Sequence, residues 1–197
     1  MKQLILIRHG EPEMDGTAAR IDPALSELGH AQAEHVGARL SGEPIDRIVS
    51  SPLRRAHQTA LPLADKLGGE VHHVAGIAEV DQDGADYVSV EAWRAEGSAH
   101  WDAFLADPVG SLGGDHDVFT GRVRASLDAL LAGPGKRIAV FTHGLPINVA
   151  LAAALGEGSL ARFAPRHASV TRMAGSSLSD LRLLSFNEAT HLPARPR

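Results

Sequence analysis

The stretch QLILIRHG, residues 3–10, is the strongest indication of the fold, because it joins a continuous apolar run to an abrupt polar ending. A short apolar run of this kind is typical of a strand that is buried on both faces of a parallel sheet. The proline and glycines of residues 11–24 indicate a loop. The sequence therefore predicts a first strand that presents Arg8 and His9 at its carboxyl end.

Beyond this stretch, apolar strand-like segments alternate with helical ones through most of the chain. Ser26 is expected to cap the first helix, and Ser51 with Pro52 at the first helical position is expected to start the second. This alternation predicts an α/β fold, a three-layer sandwich whose mostly parallel central sheet is flanked by helices. A length of 197 residues suits a single domain over 1–197. Further strands are predicted over 45–50, 71–74, 137–142, 169–173 and 181–186, and helices over 26–40, 51–67, 88–96, 98–106, 118–131 and 145–155.

The composition excludes several classes of protein and site. The chain has no cysteine, which rules out a disulfide scaffold, a thiolate zinc site and a cysteine nucleophile. A formal net charge of −5 argues against a nucleic-acid partner. No run of apolar residues is long enough for a transmembrane helix, and the first apolar run is too short for a signal peptide. We expect a cytoplasmic protein with no membrane partner.

Three predicted strand ends carry the residues that suit chemistry. Ligands of α/β sheets bind beyond the carboxyl ends of the strands. These ends bring together Arg8 and His9, Arg54 or Arg55, and His143. Guanidinium groups match the oxygens of a phosphate monoester in geometry and charge. The sequence therefore predicts a cationic phosphate pocket that needs no metal.

One of these histidines can also serve as a nucleophile. An imidazole attacks phosphorus only when it is neutral, and surrounding arginine charge lowers its pKa. The departing alkoxide needs a proton, and Glu79 is a candidate donor.

The remaining ionisable residues have simpler explanations. The segment 70–117 holds eleven acids and Arg94 as its one base, and a solvated, lid-like insertion explains this charge. Asp81, Asp83 and Asp86 lack the spacing of a calcium loop. We expect the other arginines near the site to lie on the surface, namely Arg20, Arg94, Arg162 and Arg166. We interpret nine histidines as structural or surface residues: His30, His35, His57, His72, His73, His100, His116, His167 and His191.

Taken together, five motifs in this order resemble the histidine phosphatase superfamily, also called the phosphoglycerate mutase-like family. They span residues 4 to about 150, most of the chain. The motifs are Leu6-Ile7-Arg8-His9-Gly10-Glu11, Leu25-Ser26-x-x-Gly29-x-x-Gln32-Ala33, Ser50-Ser51-Pro52-Leu53-x-Arg55-Ala56-x-Gln58-Thr59-Ala60, Ile77-x-Glu79 and Thr142-His143-Gly144.

The resemblance implies a role for each matching residue. His9 becomes a phosphohistidine, and Glu79 protonates the leaving group and later deprotonates the attacking water. The phosphoryl oxygens are bound by Arg8, Arg55 and His143, with the Gly144 amide. The motif selects Arg55 over Arg54. No metal and no organic cofactor is implied.

Two departures from the family pattern stand out. The family often has Asn a few residues after Arg-His-Gly, where this chain has Asp15. A carboxylate there repels phosphate, so we expect this loop to turn away or to contact the substrate differently. Beyond Glu79 the family commonly shows Gly-x-x-Glu-Gly, whereas residues 80–84 read Val-Asp-Gln-Asp-Gly.

The reaction class stays open between alternatives. A phosphoglycerate mutase needs additional basic residues over its pocket, where this chain has only Arg94, so hydrolysis of a small-molecule phosphate monoester is favoured. The acidic segment suits a neutral or cationic leaving group. A mutase-type phosphotransferase is the runner-up, and a non-catalytic phospholigand-binding member of the fold is the third reading. Two alternatives stay open for the Ala/Leu-rich segment 145–155: it forms a homodimer interface, or it is a buried core helix.

Overall fold

The computed structural model describes residues 1–14, 21–83 and 87–193, and its centre is a six-stranded sheet in the order β3-β2-β4-β1-β5-β6. Strands β1 to β4 run parallel, and β5 and β6 are antiparallel to their neighbours. This confirms the predicted α/β class and the mostly parallel sheet. The strands are β1 (Lys2–Arg8), β2 (Arg47–Ser50), β3 (Val71–His73), β4 (Arg137–Thr142), β5 (Val170–Gly175) and β6 (Arg182–Glu188).

Helices cover both faces of the sheet, because successive strand residues point to opposite sides. Leu4 and Leu6 of β1 pack with the helices α5 and α6, whereas Ile5 and Ile7 pack with α1 and α2. Both faces are apolar, which explains why β1 reads as a continuous run instead of an alternating one. The helices are α1 (Glu27–Leu40), α2 (Arg54–Leu67), α3 (Val90–Glu96), α4 (Ala99–Ala106), α5 (His116–Ala132) and α6 (Gly144–Leu155).

The start of α2 differs from the prediction. Ser26 caps α1 as expected, with its side chain accepting from Gly29 N. Ser51 and Pro52, however, precede α2, whose N-cap is Leu53. The Ser51 hydroxyl lies 2.8 Å from His143 Nε2 and 3.3 Å from Leu53 N, so it bridges two elements instead of capping the helix.

Short helices connect β3 to α5 over the carboxyl edge of the sheet. We call the described part of residues 75–112 the cover; it contains α3, α4 and three 3₁₀ turns (Ala75–Ile77, Val80–Asp83 and Gly110–Leu112). Thr142 at the end of β4 anchors the cover by donating from Oγ1 to Ile77 O at 2.6 Å. Among the described residues, no helix combines the length and apolar character needed to cross a bilayer.

Candidate active site

His9 lies just beyond the end of β1, and its ring is 2% exposed. Its Nδ1 is 2.7 Å from Gly10 O. A carbonyl oxygen can only accept a hydrogen bond, so the neutral ring carries its proton on Nδ1 and keeps the Nε2 lone pair. Burial, followed by the charge of Arg55, holds the pKa of His9 well below its ordinary value. His9 is therefore a neutral imidazole with a free Nε2.

The loop that carries His9 is packed against α1 and α2 by the motif residues around it. A Cβ at Gly10 would lie 2.6 Å from Gly29 O, and one at Gly29 would lie 2.0 Å from Glu11 O, so both positions exclude a side chain. Thr59 Oγ1 accepts from Gly10 N at 2.9 Å and donates to Arg55 O at 2.6 Å. These contacts give a physical reason for the Leu-Ser-x-x-Gly and Arg-Ala-x-Gln-Thr spacings.

Arg55 is buried completely, whereas its neighbour Arg54 is exposed. The Arg55 Nη2 atom donates to both carboxylate oxygens of Asp81 at 2.9 Å, and Cζ lies 4.7 Å from the centre of the Tyr87 ring. Arg55 Nε and Nη1 make no hydrogen bond with the described residues. A buried guanidinium with unpartnered N–H groups can bind an anion. Asp81 is nine-tenths buried, so the prediction that it belongs to a solvated surface is wrong.

Arg8, the last residue of β1, donates hydrogen bonds to the cover and to the segment after α6. Its Nη1 donates to Glu91 Oε1 at 2.5 Å and to Pro165 O at 2.8 Å, while Nε makes no hydrogen bond among the described residues. Burial alone raises the pKa of Glu91, but the Arg8 guanidinium outweighs it and holds that pKa well below the ordinary value. Glu91 is therefore an ionised partner of Arg8, although its side chain is 42% exposed.

His143 lies at the end of β4, immediately before α6, and its ring centre is 5.1 Å from that of His9. Burial, with the charges of Arg55 and Arg8, holds the pKa of His143 well below its ordinary value. The neutral ring meets the Ser51 hydroxyl at Nε2 (2.8 Å), and its Nδ1 makes no hydrogen bond with the described residues. When Ser51 donates to Nε2, the proton of His143 sits on Nδ1 and is available to a bound anion.

Glu79 lies between the cover and the first turn of α6. Its Oε2 accepts from Leu145 N at 3.1 Å and its Oε1 from Val80 N at 3.2 Å. Burial, and then the charge of Asp81, raises the pKa of Glu79 to about 7. A Cβ on Gly144 would lie 3.9 Å from Arg8 Nε and 4.0 Å from Glu79 Oε2, so this glycine lies between the two side chains. A carboxyl group with this pKa can donate or accept a proton near neutral pH.

One cavity joins these groups. Arg8, His9, Arg55, Glu79 and Gly144 line it, and His143 is buried beside His9. The structure thus brings together all six residues that the sequence analysis assigned to the site. At its inner end the cavity combines two arginines, each paired with a carboxylate, with the neutral imidazole of His9 and a carboxyl group that titrates near pH 7. This combination suits attack on a phosphoryl group.

Sequence reasoning missed several residues of the cavity. The carboxylates of Asp81 and Glu91 pair with its arginines, Tyr87 lies against Arg55, and the His167 ring centre is 5.4 Å from that of His9. One signal in the sequence could have indicated the two carboxylates. Buried arginines need acidic partners, and the acid-rich segment supplies them. Asp15, Arg20 and Asp86 lie outside the described residues, as does Gly84. Within 1–14, 21–83 and 87–193, no group of three or more potential ligands is placed to hold a metal ion.

Comparison with known proteins identifies a family and several relatives. The profile of the histidine phosphatase superfamily (branch 1) matches residues 4–187. A probable phosphoglycerate mutase of Erwinia tasmaniensis is 30% identical over 184 residues, which cover 88% of this chain and 85% of that protein. Phosphoserine phosphatase 1 of Hydrogenobacter thermophilus is 42% identical over 84 residues, which cover 41% of this chain and 40% of that protein.

Solved structures share the whole architecture. A mycobacterial glucosyl-3-phosphoglycerate phosphatase complexed with VO3 superposes with a TM-score of 0.75 at 25% identity, over 95% of this chain and 100% of that one. A mutant phosphoserine phosphatase from Entamoeba histolytica, in complex with phosphoserine, superposes with a TM-score of 0.71 at 26% identity, over 98% and 100% of the two chains. The fold and the enzyme class of these relatives are thus those expected from the five sequence motifs.

Proposed function

Because the chain belongs to the histidine phosphatase superfamily, we propose that it is a metal-independent phosphomonoester hydrolase that works through a phosphohistidine at His9. One observation carries the proposal most directly: the Nδ1 atom of the buried His9 is engaged by Gly10 O at 2.7 Å, which leaves the Nε2 lone pair for phosphorus. The proposal treats residues 1–197 as one domain in which the cover closes over the cavity.

The first step forms a bond between His9 Nε2 and the phosphorus atom, while the bond between phosphorus and the ester oxygen breaks. The N–H groups of Arg8, Arg55 and His143 that make no hydrogen bond with the described residues bind the phosphoryl oxygens, and the amide of Gly144 adds a further donor. Glu79 in its protonated form gives its proton to the departing alkoxide, which leaves as the alcohol.

The second step regenerates the enzyme. Glu79, now a carboxylate, takes a proton from a water molecule as the water oxygen attacks phosphorus and the bond to His9 Nε2 breaks. Inorganic phosphate leaves, and Glu79 is protonated again. A pKa of about 7 allows the same carboxyl group to act as acid and then as base near neutral pH.

The test is hydrolysis of p-nitrophenyl phosphate in excess EDTA. We expect activity in the wild type and a loss of about 10⁴- to 10⁶-fold in His9→Ala, as for loss of other enzymes' nucleophiles. The matched control is His30→Ala, an exposed histidine of α1, which should keep full activity. Acid-labile radiolabel on the wild type after reaction with a ³²P-ester, and none on His9→Ala, would support the intermediate. Residual activity of a tenth or more in His9→Ala would contradict it.

A mutase reaction is the alternative, and the likeness to the probable phosphoglycerate mutase favours keeping it in the test. A mutase passes the phosphoryl group from the histidine to a second hydroxyl instead of to water. The enzyme is incubated with 3-phosphoglycerate and a trace of 2,3-bisphosphoglycerate, and both 2-phosphoglycerate and free phosphate are measured. We expect that any product formed is free phosphate. An amount of 2-phosphoglycerate larger than that of phosphate would identify the enzyme as a mutase.

A further inference from the structure

Beyond the phosphoryl-binding groups, the cavity continues into an apolar region that the proposed chemistry does not use. We call this region the chamber, lined by Val88, Val90, Trp101, Phe104, Leu112 and Phe163. The whole cavity has a volume of about 120 Å³, whereas a buried water molecule needs about 10–15 Å³ on the same measure. Because the chamber opens onto His9 and Glu79, it is where the leaving group of a bound ester would lie.

The aromatic walls of the chamber are fixed by their neighbours. Trp101 and Phe104 of α4 stack with ring centres 5.7 Å apart and planes 17° apart. Phe163 meets Phe186 of β6 edge-on at 5.4 Å. Aromatic pairs in these arrangements are favourable beyond the area they bury. The chamber is therefore preformed, which lowers the entropic cost of binding a ring-shaped group.

In this part of the cavity, two buried polar atoms make no hydrogen bond with the described residues, and both are acceptors. Asn148 Nδ2 donates to Phe163 O at 3.1 Å, which fixes the orientation of the amide, and Asn148 Oδ1 is buried without a hydrogen-bond partner among the described residues. Glu91 Oε2 is likewise buried and unpartnered, while Oε1 binds Arg8. Buried acceptors without partners favour a ligand that brings an O–H or N–H group.

The charges of the cavity disfavour a second anionic group on the substrate. Arg8 and Arg55 already share their charges with Glu91 and Asp81, and the phosphoryl group would take their free N–H donors. Arg94 also lines the cavity, but it is exposed, and its guanidinium lies 5.8 Å from the centre of the Trp101 ring. A carboxylate in the chamber would thus meet apolar walls and two acceptors, with the exposed, solvent-screened Arg94 as its counter-charge.

We infer that this enzyme selects phosphate monoesters whose leaving group is an apolar, ring-containing alcohol with a neutral O–H or N–H donor and no carboxylate. The inference rests on the proposed hydrolase function and adds the substrate class to it. It separates this chain from the phosphoserine phosphatases among its relatives, whose named substrate carries a carboxylate beside the phosphate.

The test compares esters of similar primary alcohols, so that leaving-group basicity is constant. The panel is ethyl phosphate, 2-phenylethyl phosphate and its 4-hydroxy and 4-carboxylate derivatives, with phosphoserine and 3-phosphoglycerate. We expect kcat/KM for 2-phenylethyl phosphate to exceed that for ethyl phosphate about 10- to 100-fold, since a buried phenyl group supplies that much binding. The value of kcat/KM for the 4-hydroxy ester should equal or exceed that for 2-phenylethyl phosphate. For the 4-carboxylate ester, phosphoserine and 3-phosphoglycerate, kcat/KM should be at least about tenfold lower than for 2-phenylethyl phosphate.

Two variants locate the effect. Phe163→Ala removes one chamber wall, so the ratio of kcat/KM between the phenylethyl and ethyl esters should fall about three- to tenfold. Leu184→Ala, which truncates an apolar residue of β6 that is 57% exposed, is the control and should leave that ratio unchanged. Equal kcat/KM for the phenylethyl and ethyl esters in the wild type would overturn the inference. A preference for the carboxylate ester would also overturn the inference. If Arg94→Ala removed that preference, Arg94 would be identified as the partner of the carboxylate.

A binding measurement keeps this result distinct from failure of the hydrolase itself. Non-hydrolysable 3-phenylpropyl and propyl phosphonates are titrated while tryptophan fluorescence is followed, because Trp101 lines the chamber. We expect at least tenfold tighter binding of the phenyl compound. This preference without hydrolysis of any ester would contradict the proposed function but support the substrate class. Hydrolysis without this binding preference would support the proposed function and contradict the substrate class.

Discussion

The two sides of the cavity are built in different ways. The inner side, which we call the floor, consists of Arg8, His9, Arg55 and His143 at the ends of parallel strands and the start of α2. Backbone carbonyls, glycine packing and the Thr59 hydroxyl hold its loop in place. The cover instead consists of short helices that reach the floor through ion pairs, Asp81 with Arg55 and Glu91 with Arg8.

This difference separates chemistry from selectivity. The floor fixes the tautomer and charge of His9, the proposed nucleophile, which the proposed reaction of any phosphomonoester requires. Burial, and then the charge of Asp81 in the cover, raises the pKa of Glu79, and the cover supplies most of the apolar chamber. Substitutions in the floor should therefore change the reaction of every ester, whereas substitutions in the cover should change which esters react and at what pH.

The largest effect that tests this division is expected at Glu79. In Glu79→Gln the leaving group receives no proton, so kcat/KM for an alkyl phosphate should fall about 10²- to 10⁴-fold. For p-nitrophenyl phosphate, whose leaving group needs little protonation, the fall should be below about tenfold. In the wild type, kcat/KM for the alkyl ester should decline as pH rises through about 7, because the protonated form of Glu79 is lost. Equal losses on both esters would remove Glu79 from the role of acid.

The next effect concerns the packing beneath the floor. Gly29→Ala places a Cβ 2.0 Å from Glu11 O, so the loop after His9 must shift. We expect a loss of about 2–4 kcal/mol in the free energy of unfolding, together with reduced turnover of every ester. Gly121→Ala, at an open and exposed position of α5, is the control and should stabilise the protein by up to about 1 kcal/mol. Urea unfolding of both variants measures the difference, and equal stabilities would show that the loop tolerates the added carbon.

A smaller effect is expected from Thr59→Val, which removes the acceptor of Gly10 N and the donor to Arg55 O. A buried N–H without a partner costs about 1–3 kcal/mol, measurable by urea unfolding. Thr120→Val is the matched control, because the Thr120 hydroxyl donates to His116 O on an exposed face of α5. A loss in Thr59→Val no larger than in the control would mean that the floor loop is held without this hydroxyl.

The smallest effect probes the cover. In Asp81→Asn the pKa of Glu79 loses one of its raising causes, so the decline of kcat/KM for alkyl esters should move to lower pH. Activity at pH 7 should fall about three- to tenfold, because less Glu79 is protonated. Asp102→Asn, an exposed residue of α4, should leave the pH profile unchanged. A profile that does not move in Asp81→Asn would assign Asp81 only to holding Arg55.

The same division explains how much the sequence could predict. His9 and His143 follow apolar strands directly, so periodicity alone places them at one edge of the sheet. Preferring Arg55 to Arg54 needed the family motif, and the structure shows the reason: Arg55 shares the buried face of α2 with Ala56 and Thr59.

The residues of the cover could not be placed in this way. Asp81 and Glu91 lie on short helices whose positions depend on contacts far along the chain, Arg55 and Arg8 respectively. Local patterns carry no information about such partners, so the acidic segment reads as solvated. Ser51 was misjudged for the same reason, since His143, which engages its hydroxyl, lies 92 positions later.

The position of β1 within the sheet has a consequence for synthesis. Strand β1 pairs on one side with β4, where Gln3 meets Arg137, and on the other with β5, where Lys2 meets Gly175, and both partners are synthesised long after it. Until those partners emerge, an apolar strand has both edges bare, the condition that invites aggregation. Arg8 and His9 can meet His143 only after β4 has paired with β1. A nascent chain that has not yet reached β4 therefore lacks the proposed site and carries an apolar strand without its neighbours.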